Sequence, residues 1–251
     1  MKSTWMIVAK ETQQLVRSQR GLVWLLIFSS LLSALSLLLV SNTELSLLDN
    51  AQVVYMMAGT VLAAGSLLAV ILGSDGYAGE KERGTLVPLL CTPISTHELL
   101  VGKALSLLIA WGLMFVVAIP YLWAVGASGQ NLGAAIFYLA LFGTPVVLGF
   151  GYLALALSAL TGSVMASLLS TVTLLLLAAS PLLIGPSLRS STIGRILDAV
   201  NPFAGALNTF DSVIIDSQSL SVQAARFMLV LVWLVSSFLV AWHSTTRPNF
   251  Q

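Results

Sequence analysis

The sequence predicts an all-α integral membrane protein, and three observations carry that prediction. Of the 251 residues, 57% are hydrophobic and only 8% are charged, whereas a water-soluble domain carries about 25% charged residues. The mean hydropathy is +0.96, which excludes a disordered chain as well as a soluble one. The apolar residues fall in long unbroken runs, not in the alternating segments of ~10 residues that build a membrane barrel. A net charge of +1 provides no basic face for nucleic acid. Cys91 is the only cysteine, so neither an intrachain disulfide nor a cysteine metal cage is available.

Residues 3–19 come first. Trp5, Val8, Thr12, Leu15 and Val16 share one helical face, and Lys10, Glu11, Gln14 and Arg17 lie elsewhere. That pattern predicts an amphipathic helix lying in the membrane interface; a solvated leader into the first span is the plainer alternative.

A crossing needs ~20 mostly apolar residues. Gly21 to Thr43, Asn50 to Ser74, Ala104 to Leu188 and Phe227 to Thr246 contain no charged side chain. The third stretch is too long for two spans and suits three, broken at Gly126–Asn131 and at Thr161-Gly162-Ser163. Six transmembrane helices result, near 22–40, 52–73, 104–125, 133–158, 164–185 and 224–242. The first run exceeds the 7–15 residues of a signal-peptide core and ends in no clean cleavage site, so it reads as a retained span. The whole chain, 1–251, reads as a single transmembrane domain.

Orientation follows the basic residues of the short flanks. Lys2, Lys10, Arg17, Arg20, Lys81, Arg83, Lys103 and Arg247 fall on one side, and Arg189, Arg195 and Arg226 on the other. Both termini and the 74–103 segment are therefore expected in the cytoplasm, with 186–223 outside.

The 74–103 segment is the densest charge cluster, with Asp75, Glu80, Lys81, Glu82, Arg83, Glu98 and Lys103. Gly84 can end a helix that extends beyond the second span. Thr85 can cap a short helix over Leu86–Cys91. Thr92-Pro93 ends that helix, because the residue before proline is pushed out of the α region. Ser95 and Glu98 have capping-box spacing for a helix running into the third span. An ordinary connection uses 2–8 residues, far fewer than this one, so a rigid docking shape is predicted.

The string from Gly79 to Lys103 resembles the signature of ABC-2-type transporter permeases, the membrane subunits of ATP-binding cassette transporters. Their pattern is an acidic-basic run, Gly-Thr-Leu, a leucine pair, Thr-Pro, a serine, an acid, then Gly-Lys. Glu80, Glu82, Gly84, Thr85, Leu86, Leu89, Leu90, Thr92, Pro93, Ser95, Glu98, Gly102 and Lys103 match it. Val87-Pro88 departs from it, where the family often has an acid after the leucine.

The resemblance implies a permease in a prokaryotic inner or plasma membrane, working with a second permease chain, identical or related, and with cytoplasmic ABC ATPase subunits. ATP and Mg would bind on those partners, and no cofactor on this chain, which lacks a G-x-x-x-x-G-K-[ST] loop. It also implies that Glu80, Lys81, Glu82, Arg83, Gly84, Thr85, Leu86, Thr92, Pro93, Ser95 and Glu98 couple the permease to the ATPase. Export is the expected direction. The alternative is a non-transporting coupler that passes ATPase-driven motion to an extracytoplasmic partner.

The 186–223 segment is polar and irregular, and Pro186 ends the fifth span. Ile193, Ile196, Leu197 and Val200 could form one short helix, and Phe203 to Ile215 another. Re-entrant helices before the last span and a surface loop with interfacial helices fit equally well, with Arg189, Arg195, Asp198, Asp211 and Asp216 facing water or head groups.

Small residues recur four apart at Gly65, Ala69, Gly73 and at Ala154, Ser158, Gly162, and Ser29, Ser33 and Ser36 line one face of the first span. Close helix packing explains such stripes better than a substrate path does. Pro120 and Pro145 predict kinks. No acid, lysine or arginine lies deep in a span, against the habit of ion-coupled carriers; lipids or other apolar compounds are the substrates this favours. Gly126-Ala127-Ser128-Gly129 has the form of an intramembrane protease site, but a serine nucleophile needs a nearby base. His97 and His243 both belong to the opposite membrane face, ~30 Å away. Catalytic residues are expected to be none, and the scarcity of His and Cys leaves no metal site.

Overall fold

The computed structural model describes residues 2–41, 50–91, 94–126, 132–183, 192, 196, 200–215 and 219–246. Its helices are α1 (Lys2–Arg17), α2 (Gln19–Ser41), α3 (Asn50–Glu82), α4 (Leu86–Leu90), α5 (Thr96–Gly126), α6 (Leu132–Tyr138), α7 (Thr144–Thr161), α8 (Val164–Leu183), α9 (Pro202–Phe210) and α10 (Ala224–Thr245). No strand occurs among the described residues. Five stretches are long and apolar enough to cross a membrane: Gly21–Leu39, Ala51–Glu82, Thr96–Gly126, Leu132–Thr161 and Ser221–Thr245. The fifth expected span, 164–185, corresponds to α8, a shorter apolar helix.

Two spans are longer than expected. The second continues to Glu82, because the α-helical ladder tolerates the charge run and stops only at Gly84. There φ is +69°, a left-handed conformation that glycine adopts without a Cβ penalty. The Gly84 amide donates to the Lys81 carbonyl and the Thr85 amide to the Glu80 carbonyl, a Schellman closure. The third span begins early, at Thr96, where the predicted capping box forms. The Glu98 amide donates to Ser95 Oγ at 3.2 Å and the Ser95 amide to Glu98 Oε2 at 3.2 Å.

The fourth expected span, 133–158, is one continuous rod broken in type. A π turn over Leu139–Gly143 joins α6 to α7. Pro145 has no N–H for the carbonyl of Leu141, so the ladder is interrupted where the π turn sits. Gly162 then ends α7 with φ +61°.

α1 turns into α2 at Ser18, whose Oγ accepts the Gly21 amide at 3.0 Å. A Cβ on Gly21 would lie 1.7 Å from the Leu15 carbonyl oxygen, so only glycine fits this turn. The amphipathic face differs from the predicted one. Ile7 and Val8 are buried, Ile7 in a cluster with Leu99 and Leu100 of α5, while Trp5, Met6 and Val16 are exposed. The stripe is divided between protein and surroundings because α1 lies against α5 rather than on lipid alone.

In the 186–223 segment, the surface-loop alternative fails for the described part. α9 and the π turn Asp211–Ile215 bury Phe203, Ala206, Leu207, Phe210, Val213 and Ile214 in the main core. Asn201 caps α9, its Oδ1 accepting from Phe203 and Ala204, and its Nδ2 donates to the Ala178 carbonyl of α8. Arg226 fastens this helix to α10 by donating to the Asn208 carbonyl and Ser212 Oγ, both at 3.1 Å. The expected helix face of Ile193 and Leu197, the charges Arg189, Arg195, Asp198 and Asp216, and the Ser128 turn lie outside the described residues.

The small-residue stripes pack helices, as expected. A Cβ on Gly65 would meet the Trp111 ring at 2.3 Å, and one on Gly73 the Gly151 carbonyl at 2.5 Å. Ser29 and Ser33 both reach Tyr121 Oη of α5, at 2.6 and 3.0 Å.

Candidate functional site

The motif region lies at one end of the bundle, where α1, α3, α4, α5 and α10 meet. His97 at the start of α5 stacks on Trp242 near the end of α10, ring centroids 4.1 Å apart. Ile7 of α1, Tyr77 of α3, Leu86 of α4, Leu99 and Leu100 of α5 and Ala241 of α10 share one core. α1, the motif and the last turn of α10 therefore occupy the same end.

A buried ion cluster ties this end together. Lys103 Nζ of α5 lies 3.3 Å from Glu80 Oε1 of α3 and 3.1 Å from Glu11 Oε1 of α1. The Lys103 and Glu80 side chains are 3% and 6% exposed, so water screens their attraction little. Lys103 Nζ also sits 5.3 Å from the centroid of the Tyr77 ring. Lys10 approaches the same Glu80 oxygen at 3.5 Å.

Glu80 therefore departs from the exposed docking shape expected of the motif: it holds α1, α3 and α5 together from inside. Lys81, Glu82, Arg83, Gly84 and Thr85 are exposed. Leu86 is buried and anchors α4, with Val87 turned outward at 68% exposure. Thr85 stands at the N-cap of α4 without capping it; its hydroxyl donates instead to the Glu80 carbonyl at 3.2 Å, completing the end of α3. Ser95 and Glu98 cap α5 from the surface. Thr92 and Pro93 lie outside the described residues.

Around the exposed loop, Arg83 and Glu82 each have a structural partner. Arg83 Nη1 and Nη2 donate to the Asp75 carboxylate at 3.0 to 3.3 Å. That hydrogen bond, aided by the charge of Asp75 and opposed by partial burial, holds the Arg83 guanidinium above its ordinary pKa. Glu82 Oε1 accepts the amide of Val164, the first residue of α8, at 2.9 Å. A carboxylate there satisfies an orphan amide and meets the positive end of the helix dipole.

Ser158 of α7 stitches the extension of α3 from a third direction. Its Oγ accepts the amides of Tyr77 and Ala78, at 3.0 and 2.7 Å, and donates to the Ser74 carbonyl at 2.7 Å. Ser158 Oγ contacts both the Ala78 amide and the Ser74 carbonyl, a donor and an acceptor four residues apart on the α3 backbone. Residues 74–82 are thus tied to α1, α5, α7 and α8.

Glu11, Asp75, Ser158 and Lys103 belong to this site, although motif matching alone did not assign them a coupling role. Asp75, Gly79 and Arg83, four apart on one helix face, were a readable signal. Glu11 is the only acid in α1. Ser158 looked like one more small residue in an apolar run. Among the described residues, no group of His, Cys, Asp and Glu could hold a metal ion.

A family model described as "ABC-2 family transporter protein" matches residues 5–245. No curated protein matches the chain.

Proposed function

The chain belongs to the ABC-2 transporter family, and from that premise we propose that it is the membrane-spanning subunit of an ATP-driven exporter. It forms the translocation path together with a second permease chain. It receives force from a separate ABC ATPase at the bundle end built from α1 and residues 80–98, which faces the cytoplasm with both termini. The observation that carries the reading is the buried Glu80–Lys103–Glu11 cluster. A face that transmits force must be rigid, and this cluster locks three helices behind an exposed charged loop. The ATPase is read as a separate subunit; these 251 residues contain no phosphate-binding loop. Closure of the ATPase pair then moves the locked end as one body, a two-state rigid-body change of the kind that couples distant sites.

The test is co-purification from the native membrane with a C-terminal tag, followed by mass spectrometry. Recovery of a P-loop ATPase, reduced at least about tenfold by Lys81→Glu with unchanged membrane insertion, is the expected result. Lys81 is the better reversal than Glu82, because Glu82 also caps α8. Clean recovery of this chain without an ATPase overturns the reading.

A further inference from the structure

A cavity of about 310 Å³ opens among α1, α3 and α5 beside the ion cluster. Sites for small ligands span ~300–1,000 Å³. Its lining changes character along its length. Lys10, Thr12 and Glu80 stand at the end of the bundle, and Leu72, Leu107 and Ala110 line it farther in. Ala110 lies about 10 Å beyond Lys103 along α5, and Leu72 about 12 Å inward from Glu80 along α3, at 1.5 Å per residue. The polar end thus coincides with the membrane face and the apolar end points into the slab.

The polar end has an unmet demand. Glu80 Oε1 is taken by Lys10 and Lys103, but Glu80 Oε2 is buried without a hydrogen-bond partner, and so is Thr12 Oγ1. Buried carboxylate oxygens ordinarily have donors. Lys10 is half-exposed and its ammonium meets Glu80 at only 3.5 Å, leaving protons for an acceptor at the mouth. The charges lining the cavity balance, Lys10, Arg83 and Lys103 against Glu11, Asp75 and Glu80. That balance favours neither an anionic nor a cationic ligand.

We propose that this cavity binds an ethanolamine phospholipid of the adjoining leaflet. Its ammonium donates to Glu80 Oε2, its phosphate accepts from Lys10, and the start of an acyl chain runs along Leu72, Leu107 and Ala110. A choline headgroup has no N–H to give Glu80, and a glycerol headgroup has no positive charge. The inference goes beyond the transport reading and needs only that this end of the bundle lies at a membrane face.

The experiment uses the full chain, purified and stripped of lipid, and measures retained lipid by native mass spectrometry and the shift in melting temperature. The probes are ethanolamine, choline and glycerol phospholipids with identical acyl chains, and free phosphoethanolamine. The ethanolamine lipid is expected to bind at least about tenfold tighter than the other two, the effect of one charge-assisted hydrogen bond. Ser106→Leu fills the cavity and leaves the ion cluster intact, since Ser106 Oγ bonds only the Gly102 carbonyl of its own helix. Ser106→Leu should keep the lipid-free melting temperature and lose the preference; Glu80→Gln should also lose the preference, from a lower lipid-free melting temperature because it breaks the pair with Lys103. If Glu80→Gln fails to fold, Ser106→Leu decides. Equal retention of the three lipids, a preference that survives Ser106→Leu, or free phosphoethanolamine binding as tightly as the lipid overturns the proposal.

Discussion

Asp75 and Arg83 stand two helical turns apart on α3 and pair across the bare backbone of Gly79. Arg83 Nη1 reaches Asp75 Oδ1 at 3.0 Å, and a Cβ on Gly79 would lie 2.0 Å from that same Oδ1 and 2.9 Å from Arg83 Nη2. Residues eight apart do not normally meet on a helix, since neighbours are three or four apart. Here the missing side chain between them opens the path.

Gly79→Ala therefore separates two effects. The helix gains about 1 kcal/mol of intrinsic propensity. The ion pair, with both side chains about half exposed, is worth ~0–1 kcal/mol, so its displacement costs little. Thermal unfolding should shift by no more than that difference, while recovery of the ATPase falls, because Arg83 leaves its fixed position. Normal recovery would show that the orientation of Arg83 does not matter for docking.

Ser158→Ala tests the stitch between α7 and α3. The variant strips the amides of Tyr77 and Ala78 of their acceptor in a fully buried place. Leaving buried donors unpaired costs about 1–3 kcal/mol, and unfolding in denaturing detergent should show that loss. An unchanged midpoint would mean that backbone pairing within α3 satisfies these amides without Ser158.

How far these features were readable depends on their range. The Gly84 stop and the Ser95–Glu98 box involve residues at most five apart, and local chemistry determines them, so sequence alone located both. The burial of Glu80 follows from Lys103 and Glu11, which come from other helices, and no local pattern distinguishes Glu80 from its exposed neighbour Glu82. Thr85 fits a cap by type, but the Schellman closure of α3 uses its hydroxyl first. The face of α1 was misread for a similar reason: whether Ile7 or Trp5 is buried depends on where α5 lies. Long apolar runs announced the spans, yet the π turn before Pro145 and the burial of α9 are consequences of packing.

The Glu80–Lys103 pair should behave as a buried pair does. Lys103→Met takes from Glu11 and Glu80 the cation they share, leaving Glu80 only its longer contact to Lys10, and Glu80→Gln leaves Lys103 with Glu11 alone. Each single change should destabilise, by about 3–5 kcal/mol where a buried charge is left unpaired. The double variant Glu80→Gln/Lys103→Met should cost clearly less than the sum, because no opposed charge is abandoned at that position. Unfolding midpoints of the four proteins give the coupling energy, and simple additivity would show that the two groups do not depend on each other.

Glu82 offers the most direct view of how the loop reaches the bundle. Its carboxylate caps the first amide of α8 from 82 positions away in sequence, so a shift of the loop and a loosening of α8 are one event. Glu82→Ala removes the acceptor and the favourable charge, at a cost of about 1 kcal/mol to the helix end. Glu82→Gln keeps an oxygen in place and should retain most of the cap. Hydrogen exchange at Val164 should therefore quicken in Glu82→Ala and much less in Glu82→Gln, with the far end of α8 unaffected, because dipole and capping effects fade within one turn. If both variants exchange like the parent, the α8 end is held by packing alone, and force arriving at residues 80–86 must enter the bundle through Glu80 and Ser158 instead.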